Sequence, residues 1–278
     1  MLPTPSTSHV SFDAIYEPAE DSYLLLDTLS SESEAAWLTE RFHIASPSSQ
    51  TTGKSASPLV VEVGSGSGVV IAFAAANAQH IFGRDDILAL AIDVNRDACR
   101  ATRQTVQTAI TEKLAENTYT NVASSPKAMQ FVSSLTADLV SPLRPGTVDV
   151  LLFNPPYVPT PDLPVLPQPE AERANNGNNE TKTLSRSEKF ERDSYLLSLS
   201  YAGGFDGMET TNRFIDAISS ILSPERGVAY LLLCAQNKPE EVKARIKCDW
   251  EGWTAETVGR SGVQAGWEKL VILRIYKK

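Results

Sequence analysis

One apolar stretch of the chain ends in four residues that suit the binding of a planar, nitrogen-bearing group. Residues 148–158 read VDVLLFNPPYV, so a predicted buried strand leads directly into Asn154, Pro155, Pro156 and Tyr157. The amide of Asn154 offers an acceptor oxygen and two donor hydrogens. The two prolines stiffen the turn and remove backbone donors, which leaves carbonyl oxygens such as that of Pro155 free to accept. Although Asn-Pro also begins ordinary turns, these residues predict a site that orients a –CO–NH₂ or similar group beside the Tyr157 ring.

A second motif combines a glycine-rich turn with acidic residues at strand ends. Glu62 precedes the turn GSGSG, which runs from Gly64 through Gly66 to Gly68. Glycines between a strand and a helix let the backbone approach a ligand. The next acid at a strand end is Asp93, which comes later than the interval of about 20 residues typical of a dinucleotide fold. This spacing favours a cationic ligand without phosphate, held between carboxylates.

S-adenosylmethionine has the chemistry that this pattern requires. Its ribose hydroxyls can donate to Asp93, its positive charges can be balanced by Glu62, and its adenine amino group can donate to Asp138 at the end of the third strand. Each acid alone could equally be a helix cap or a solvated strand end. Three acids at successive carboxyl ends of a parallel sheet favour a ligand site, because open α/β sheets bind ligands at that edge.

The elements that must position these residues alternate between strand and helix. Apolar runs predict strands at 58–63, 87–93, 129–132, 148–153, 227–235, 254–259 and 269–276. Helical spacing of apolar residues predicts helices at 19–29, 35–44, 69–78, 96–114, 209–222 and 239–246. Such alternation predicts an α/β fold with parallel strands and helices on both faces. The last two strands are predicted to form an antiparallel hairpin at the sheet edge.

The chain is predicted to hold one main domain, residues 58–278. Residues 1–57 form a leader, a helical segment and a flexible connector that closes over the cofactor site. A Pro- and Asn-rich stretch at about 160–189 reads as a loop inserted just after Tyr157. That loop could cover the site or extend into solvent, and the sequence leaves both options open.

Bulk composition excludes several classes of protein. The formal charge is −9 and no dense Lys/Arg run is present, which argues against nucleic-acid binding. Cys99, Cys234 and Cys248 are widely separated from one another and from the histidines, so no disulfide framework or metal site is expected. The N-terminus lacks a signal peptide and no apolar run could span a membrane. We therefore expect a soluble protein of the cytoplasm, and possibly also of the nucleus.

Taken together, the motifs resemble a known enzyme family. The order VEVGSGSG, AIDVN, TADLV and NPPY is similar to class I S-adenosylmethionine-dependent methyltransferases, in which NPPY accompanies methylation of planar nitrogen. The narrower resemblance is to the HemK-type glutamine methyltransferases that modify peptide-chain release factors. It is carried by YEPAEDSYLLLDTL, YAGGFDGMETTNRF and CAQNKPEEV, and it spans nearly the whole chain.

This resemblance implies a fold, a reaction and a partner. The expected fold is Rossmann-like, with a seven-stranded, mostly parallel sheet. The expected reaction is methylation of the side-chain amide nitrogen of glutamine in the Gly-Gly-Gln motif of a class I translation termination factor. Relatives of this branch work with a small zinc-binding activator subunit that covers an apolar sheet edge, so we expect a heterodimer. The apolar strand LALAI and the Ala-rich helix before it are candidates for that contact.

The resemblance also completes the predicted site. Ser22 matches a cofactor-contacting position, and its neighbours belong to a segment closing over the site. The predicted cofactor-binding residues are Tyr16, Glu20, Asp21, Ser22, Glu62, Gly64, Gly66, Gly68, Asp93, Asp138 and Asn154. The predicted catalytic residues are Asn154, Pro155, Pro156 and Tyr157, with no general base and no metal.

Three alternatives remain open at this stage. NPPY chemistry would also serve a flipped adenine, as in a nucleic-acid adenine-N6 methyltransferase. A histone lysine substrate is compatible with an acidic surface, although an amine target calls for a route to deprotonate it. The non-enzymatic alternative is a cofactor-binding scaffold that stabilises a partner.

Overall fold

Seven strands form one mixed sheet that carries the site. The structure is a computed structural model, and it describes residues 2–42, 56–119, 130–166, 185–262 and 269–278. The sheet order is β3-β2-β1-β4-β5-β7-β6. Neighbouring strands are parallel from β3 through β5, whereas β7 is antiparallel to both β5 and β6. The strands are β1 (Leu59–Val63), β2 (Leu88–Asp93), β3 (Gln130–Thr136), β4 (Val150–Phe153), β5 (Val228–Cys234), β6 (Trp253–Arg260) and β7 (Leu270–Lys277).

Seven of the eight helices in the described residues cover the two faces of the sheet. Helices α1 to α5 pack on one face and α7 and α8 on the other, because alternate strand residues point to opposite apolar clusters. In β4, for example, Leu152 joins the first cluster and Leu151 the second. The helices are α1 (Glu20–Ser30), α2 (Glu32–Phe42), α3 (Val69–Ala76), α4 (Ala78–Phe82), α5 (Arg96–Tyr119), α6 (Arg186–Tyr201), α7 (Glu209–Ile221) and α8 (Pro239–Asp249).

The predicted fold class is confirmed, including the antiparallel C-terminal hairpin. The hairpin connection at 263–268 and the connector at 46–55 lie outside the described residues. The inserted loop is shorter than predicted, because α6 begins at Arg186 and its N-terminus carries a reciprocal cap. The Ser185 side chain accepts from the Glu188 amide, and the Glu188 carboxylate accepts from the Ser185 amide. Residues 167–184 of the insertion lie outside the described part of the chain.

The predicted location of the partner-binding surface is wrong, because neither candidate element lies at an edge of the sheet. The LALAI strand is β2, which lies between β1 and β3 and is almost fully buried, and the Ala-rich helix α3 is buried at every position. The edge on that side is β3, where the side chain of Val132 is 56% exposed. None of the helices in the described ranges combines the length and apolar character that a bilayer span requires.

The strand order creates the site. The chain runs outward from β1 to β2 and β3, and then returns past β1 to β4 and β5 on the other side. Open α/β sheets bind ligands at such a reversal, outside the carboxyl ends of the strands. Glu62 of β1, Asp93 of β2 and Asn154 directly after β4 are therefore brought to one place.

Candidate active site

A cavity of about 360 Å³ lies at this reversal point. Twelve of the fourteen predicted site residues line it, and its volume is within the range of small-molecule sites. They are Tyr16, Asp21, Ser22, Glu62, Gly64, Gly66, Asp93, Asp138, Asn154, Pro155, Pro156 and Tyr157. The two predicted residues that do not line the cavity are Glu20 and Gly68.

The glycine turn gives the cavity a backbone wall at Gly66. This residue has φ +52°, and a Cβ placed on it would meet no atom within 4 Å. Its amide donates to Oδ2 of Asp93 at 2.9 Å. A ligand can therefore approach the backbone closely here, beside a carboxylate. This arrangement fits the adenosyl and methionine parts of S-adenosylmethionine, which offer hydroxyl and ammonium donors.

Gly68 and Glu20 were predicted to bind the cofactor, and neither lines the cavity. Gly68 has φ +79°, and a Cβ there would lie 2.6 Å from Cα of Thr102 on α5. The glycine thus permits α3 and α5 to pack closely. Glu20 is exposed in the first turn of α1, where a negative charge suits the helix dipole.

Two buried carboxyl groups, those of Glu62 and Asp93, form the floor of the cavity. Oε2 of Glu62 accepts from the Ile71 amide at 2.9 Å, at the start of α3. Burial raises the pKa of Glu62 well above its usual range; this hydrogen bond opposes the shift and nearby Asp93 adds to it. Burial also raises the pKa of Asp93, opposed by the amides of Gly66 and Asn95. Both groups are costly to ionise alone, so a cation beside them is favoured.

Asp138 lines the cavity and is paired there with a cation. Its Oδ2 accepts from Nη2 of Arg213 on α7, and Arg213 also lines the cavity. Arg213 belongs to the family motif YAGGFDGMETTNRF and was not among the predicted site residues. Since each carboxylate oxygen has two lone pairs, the pair leaves acceptor capacity for the predicted adenine contact.

A hydrogen bond holds the nitrogen end of the Asn154 side-chain amide. Its Nδ2 donates to Oδ2 of Asp21 at 3.0 Å, and Oδ1 of Asp21 accepts from the Ser22 amide at 2.6 Å. Oδ1 of Asn154 is buried and has no hydrogen-bond partner among the residues that the structure describes. A buried carbonyl oxygen without a donor is costly. The arrangement therefore presents an acceptor that a ligand N–H can satisfy.

The leader forms one wall of the cavity through Ala14, Ile15 and Tyr16. Asn95 ties this wall to the carboxylate floor, because its Nδ2 donates to the Ala14 carbonyl and its amide donates to Asp93, both at 2.8 Å. Sequence reasoning missed Asn95 as a functional residue. Its place two residues after a strand-end acid, as an Asx helix cap, was the available signal.

Helix α6 forms the opposite wall through Leu196 and Leu199. Arg192 of this helix is bonded to Asp97 at the start of α5, and the Tyr195 hydroxyl donates to the Val165 carbonyl at 2.5 Å. The sequence patterns predict a loop to about residue 189 and no element at 190–200, although the Ser185–Glu188 spacing is a recognisable capping signal for this helix. No group of metal-ligating side chains occurs among the residues described.

Comparison with known proteins identifies the family. No protein-family model matches the chain. The methyltransferase HEMK2 of Mus musculus is 32% identical over 283 residues, covering 99% of this chain and 97% of that protein. The chain belongs to the HEMK2 methyltransferase family. The predicted enzyme class, a class I S-adenosylmethionine-dependent methyltransferase of HemK type, is thereby confirmed.

Two further members of this family are similar over most of their length. The eRF1 methyltransferase catalytic subunit mtq2 of Schizosaccharomyces pombe is 29% identical, covering 100% of this chain and 96% of that protein. The putative protein N5-glutamine methyltransferase MJ0928 of Methanocaldococcus jannaschii is 27% identical, covering 84% of this chain and 79% of that protein.

Proposed function

We propose that this chain transfers a methyl group to the side-chain amide nitrogen of glutamine in the Gly-Gly-Gln motif of a class I translation termination factor. The names of two relatives support this substrate: one is an eRF1 methyltransferase and another is a putative protein N5-glutamine methyltransferase. The observation that carries the proposal is the unpartnered, buried Oδ1 of Asn154 at the end of β4.

The polarity of the Asn154 amide matches a substrate amide. Asp21 accepts from Nδ2, which directs Oδ1 away from Asp21 and leaves it to accept from a substrate N–H. We assign the Pro155 carbonyl as a second acceptor and the Tyr157 ring as a flat surface, since both residues line the same cavity. Two acceptors and one ring are sufficient to fix the plane of a –CO–NH₂ group.

The residues of this chain act by positioning. When bound, S-adenosylmethionine supplies an electrophilic methyl group on a positively charged sulfur. An amide nitrogen is a poor nucleophile, because its lone pair is delocalised. Acceptors on its hydrogens can bias it toward pyramidal geometry and aim it, and such orientation accounts for a large part of a rate enhancement. The surplus proton can leave after transfer, so no general base is assigned.

The surface around the cavity mouth favours a polypeptide over a nucleic acid. Four exposed apolar side chains lie on or beside cavity-lining segments: Val158, Val165, Tyr201 and Phe205. Three cations in the same region are paired with carboxylates, in Arg213–Asp138, Arg192–Asp97 and Lys238–Asp206. A cation that is already paired with a carboxylate is less available to neutralise a phosphate. The mouth therefore suits the apolar and neutral surface of a protein loop.

A partner subunit is part of the proposal. The S. pombe relative is named a catalytic subunit, and the resemblance implies a small zinc-binding activator. In this chain β3 is an edge strand and exposes Val132, so we place the activator there. An unpaired edge with an apolar side chain is a surface that proteins normally cover.

The proposed contact between β3 and the activator can be tested by substitution. Val132→Lys should lower co-purification with the activator at least about ten-fold, because it places a charge in an apolar contact. Phe190→Lys, at another exposed apolar residue, on α6, is the control and should not alter co-purification. If both variants retain the activator as the wild type does, the partner binds elsewhere.

The function is tested with a panel of substrates. The heterodimer is incubated with S-adenosylmethionine and, separately, a termination factor, duplex DNA and a histone peptide. We expect methylation of the termination factor alone, lost in Asn154→Ala and retained in Asn212→Ala, whose side chain contacts Arg245 outside the cavity. Methylated DNA or histone with an unmodified termination factor would replace this proposal by one of the alternatives. Cofactor binding without any methylation would favour a scaffold.

A further inference from the structure

Two family motifs meet next to the NPPY segment in the structure. The motif YAGGFDGMETTNRF contains the 3₁₀ turn Phe205–Gly207, and CAQNKPEEV contains the 3₁₀ turn Ala235–Asn237. The two turns are in contact with each other. Asn237 lies at their meeting point and is only 2% exposed.

The side chain of Asn237 connects three segments of the chain. Its Oδ1 accepts from the Cys234 amide at 2.9 Å, which fixes the ring-like turn at the end of β5. Its Nδ2 lies 3.3 Å from the Tyr157 carbonyl oxygen, 3.2 Å from that of Asp206 and 3.4 Å from that of Gly207. Only a neutral amide combines one acceptor with two hydrogens to share among carbonyls. Asn237 therefore ties the backbone of NPPY to both motifs.

Two glycines allow this close approach. A Cβ at Gly203 would lie 2.5 Å from the Pro156 carbonyl oxygen, and one at Gly207 would lie 2.1 Å from that of Tyr157. The Val158 carbonyl accepts from the Gly203 amide at 2.8 Å. The glycine loop thus forms a backbone support for residues 156–158. Such a support explains why glycines occupy these positions in the motif.

We propose that Asn237 is a positioning residue for methyl transfer. By holding the Tyr157 carbonyl, Asn237 fixes the peptide plane between Tyr157 and Val158. The glycine loop packs against the Pro156 carbonyl, so the segment that carries the Pro155 carbonyl and the Tyr157 ring is held from both points. Asn237 does not line the cofactor cavity. Its loss should therefore slow methyl transfer while cofactor binding is retained. The inference rests on the proposed function, because the step it serves is transfer at NPPY.

The test distinguishes a positioning role of Asn237 in methyl transfer from a general contribution of this residue to protein stability. Asn237→Ala is compared with Asn77→Ala in the heterodimer, because Asn77 is also buried and its Nδ2 donates to a backbone carbonyl, that of Phe73, away from NPPY. We expect kcat to fall by at least about ten-fold in Asn237→Ala through misalignment, with the dissociation constant for S-adenosylhomocysteine unchanged within about two-fold. Asn77→Ala should retain kcat.

A second variant covers the case in which Asn237→Ala does not fold. Asn237→Asp keeps the acceptor for Cys234 but places an oxygen opposite three carbonyls. It regains one donor hydrogen when protonated, so its kcat relative to wild type should rise as the pH is lowered. Equal kcat values for the Asn237 variants and Asn77→Ala, or a weakened cofactor affinity with normal kcat, would overturn the inference. An inactive wild-type heterodimer would instead overturn the proposed substrate.

Discussion

At the residue scale, the direction of one amide connects the fold to the chemistry. The sequence predicted that Asn154 orients a planar group, but it could not predict which end of the amide faces the substrate. That is decided by Asp21, 133 residues earlier in the chain. A contact over such a separation depends on how α1 packs against the sheet, which no local pattern encodes. The same holds for Arg213 and Asp138, which are 75 residues apart.

The Asp21 contact leads to a mutational prediction. Asp21→Ala removes the acceptor of the Asn154 Nδ2, so the amide can rotate and the acceptor oxygen is no longer fixed. We expect kcat to fall by about 10²-fold, the scale of a misplaced reacting group. Asp27→Ala, at an exposed residue of the same helix, is the control and should leave kcat unchanged. Steady-state methylation of the termination factor by both variants provides the measurement.

The buried acids predict a pH dependence of cofactor binding. Burial raises the pKa values of Glu62 and Asp93, so both are partly protonated at a pH where exposed carboxyls are ionised. The cationic S-adenosylmethionine favours the ionised forms more than neutral-sulfur S-adenosylhomocysteine does. Its affinity relative to that of S-adenosylhomocysteine should therefore rise with pH above the usual carboxyl range.

Calorimetry at several pH values would test this linkage. Glu62→Gln removes the titrating group but keeps an oxygen for the Ile71 amide, and it should flatten the dependence. A ratio of affinities that does not change with pH in the wild type would show that these acids do not compensate the sulfonium.

The same pKa shifts imply that the ligand-free protein loses stability as the pH rises through the raised pKa values, because the folded state then gives up protons that the unfolded state has already lost.

At the element scale, the glycine turn and the helix packing can be separated. Gly66→Ala should reduce cofactor affinity at least ten-fold, since its Cβ would enter the cavity, while stability falls by about 1–2 kcal/mol from the left-handed conformation. Gly68→Ala should cost more than that in stability, because its Cβ would also collide with Thr102 on α5. Urea unfolding and cofactor titration of both variants give the comparison. Equal effects of the two substitutions on both quantities would contradict it.

The elements themselves were largely predictable from periodicity. Apolar runs at strand length and stripes at helical spacing marked all seven strands and most helices within a few residues. The 3₁₀ turns and α4 were too short to produce a periodic signal. Helix α6 was missed for a different reason: of its residues only Asp193 and Leu196 are buried, so its sequence is dominated by polar side chains. The cavity wall that it supplies was therefore absent from the predicted site.

At the scale of the whole molecule, a buried ionic network attaches the N-terminal helices to the sheet. Glu34 of α2 accepts from Nη1 of Arg274 at 2.7 Å and from the Tyr230 hydroxyl at 2.9 Å. Arg274 lies on β7 and Tyr230 on β5, so this contact joins distant parts of the chain. Helix α1, which carries Asp21, packs against α2 and the same sheet region. The network thus links global stability to the geometry of the active site.

Removing the acid of this network should destabilise the protein. Glu34→Ala leaves the buried guanidinium of Arg274 with Glu256 as its remaining carboxylate partner, and we expect a loss of about 3 kcal/mol in the free energy of unfolding. Glu32→Ala removes an exposed acid from the same helix and should change stability by less than about 0.5 kcal/mol. Urea denaturation measures both. Similar midpoints for the two variants would mean that Glu34 is not a structural anchor.

The proposed reaction of this chain is methylation of the side-chain amide of a specific glutamine. The most direct measurement incubates the heterodimer and a termination factor with S-adenosylmethionine carrying a deuterated methyl group, followed by fragment mass spectrometry of the Gly-Gly-Gln peptide. We predict one labelled methyl group on the glutamine side chain, absent with Asn154→Ala. A label on another residue, or an unlabelled peptide from an otherwise active heterodimer, would contradict the account.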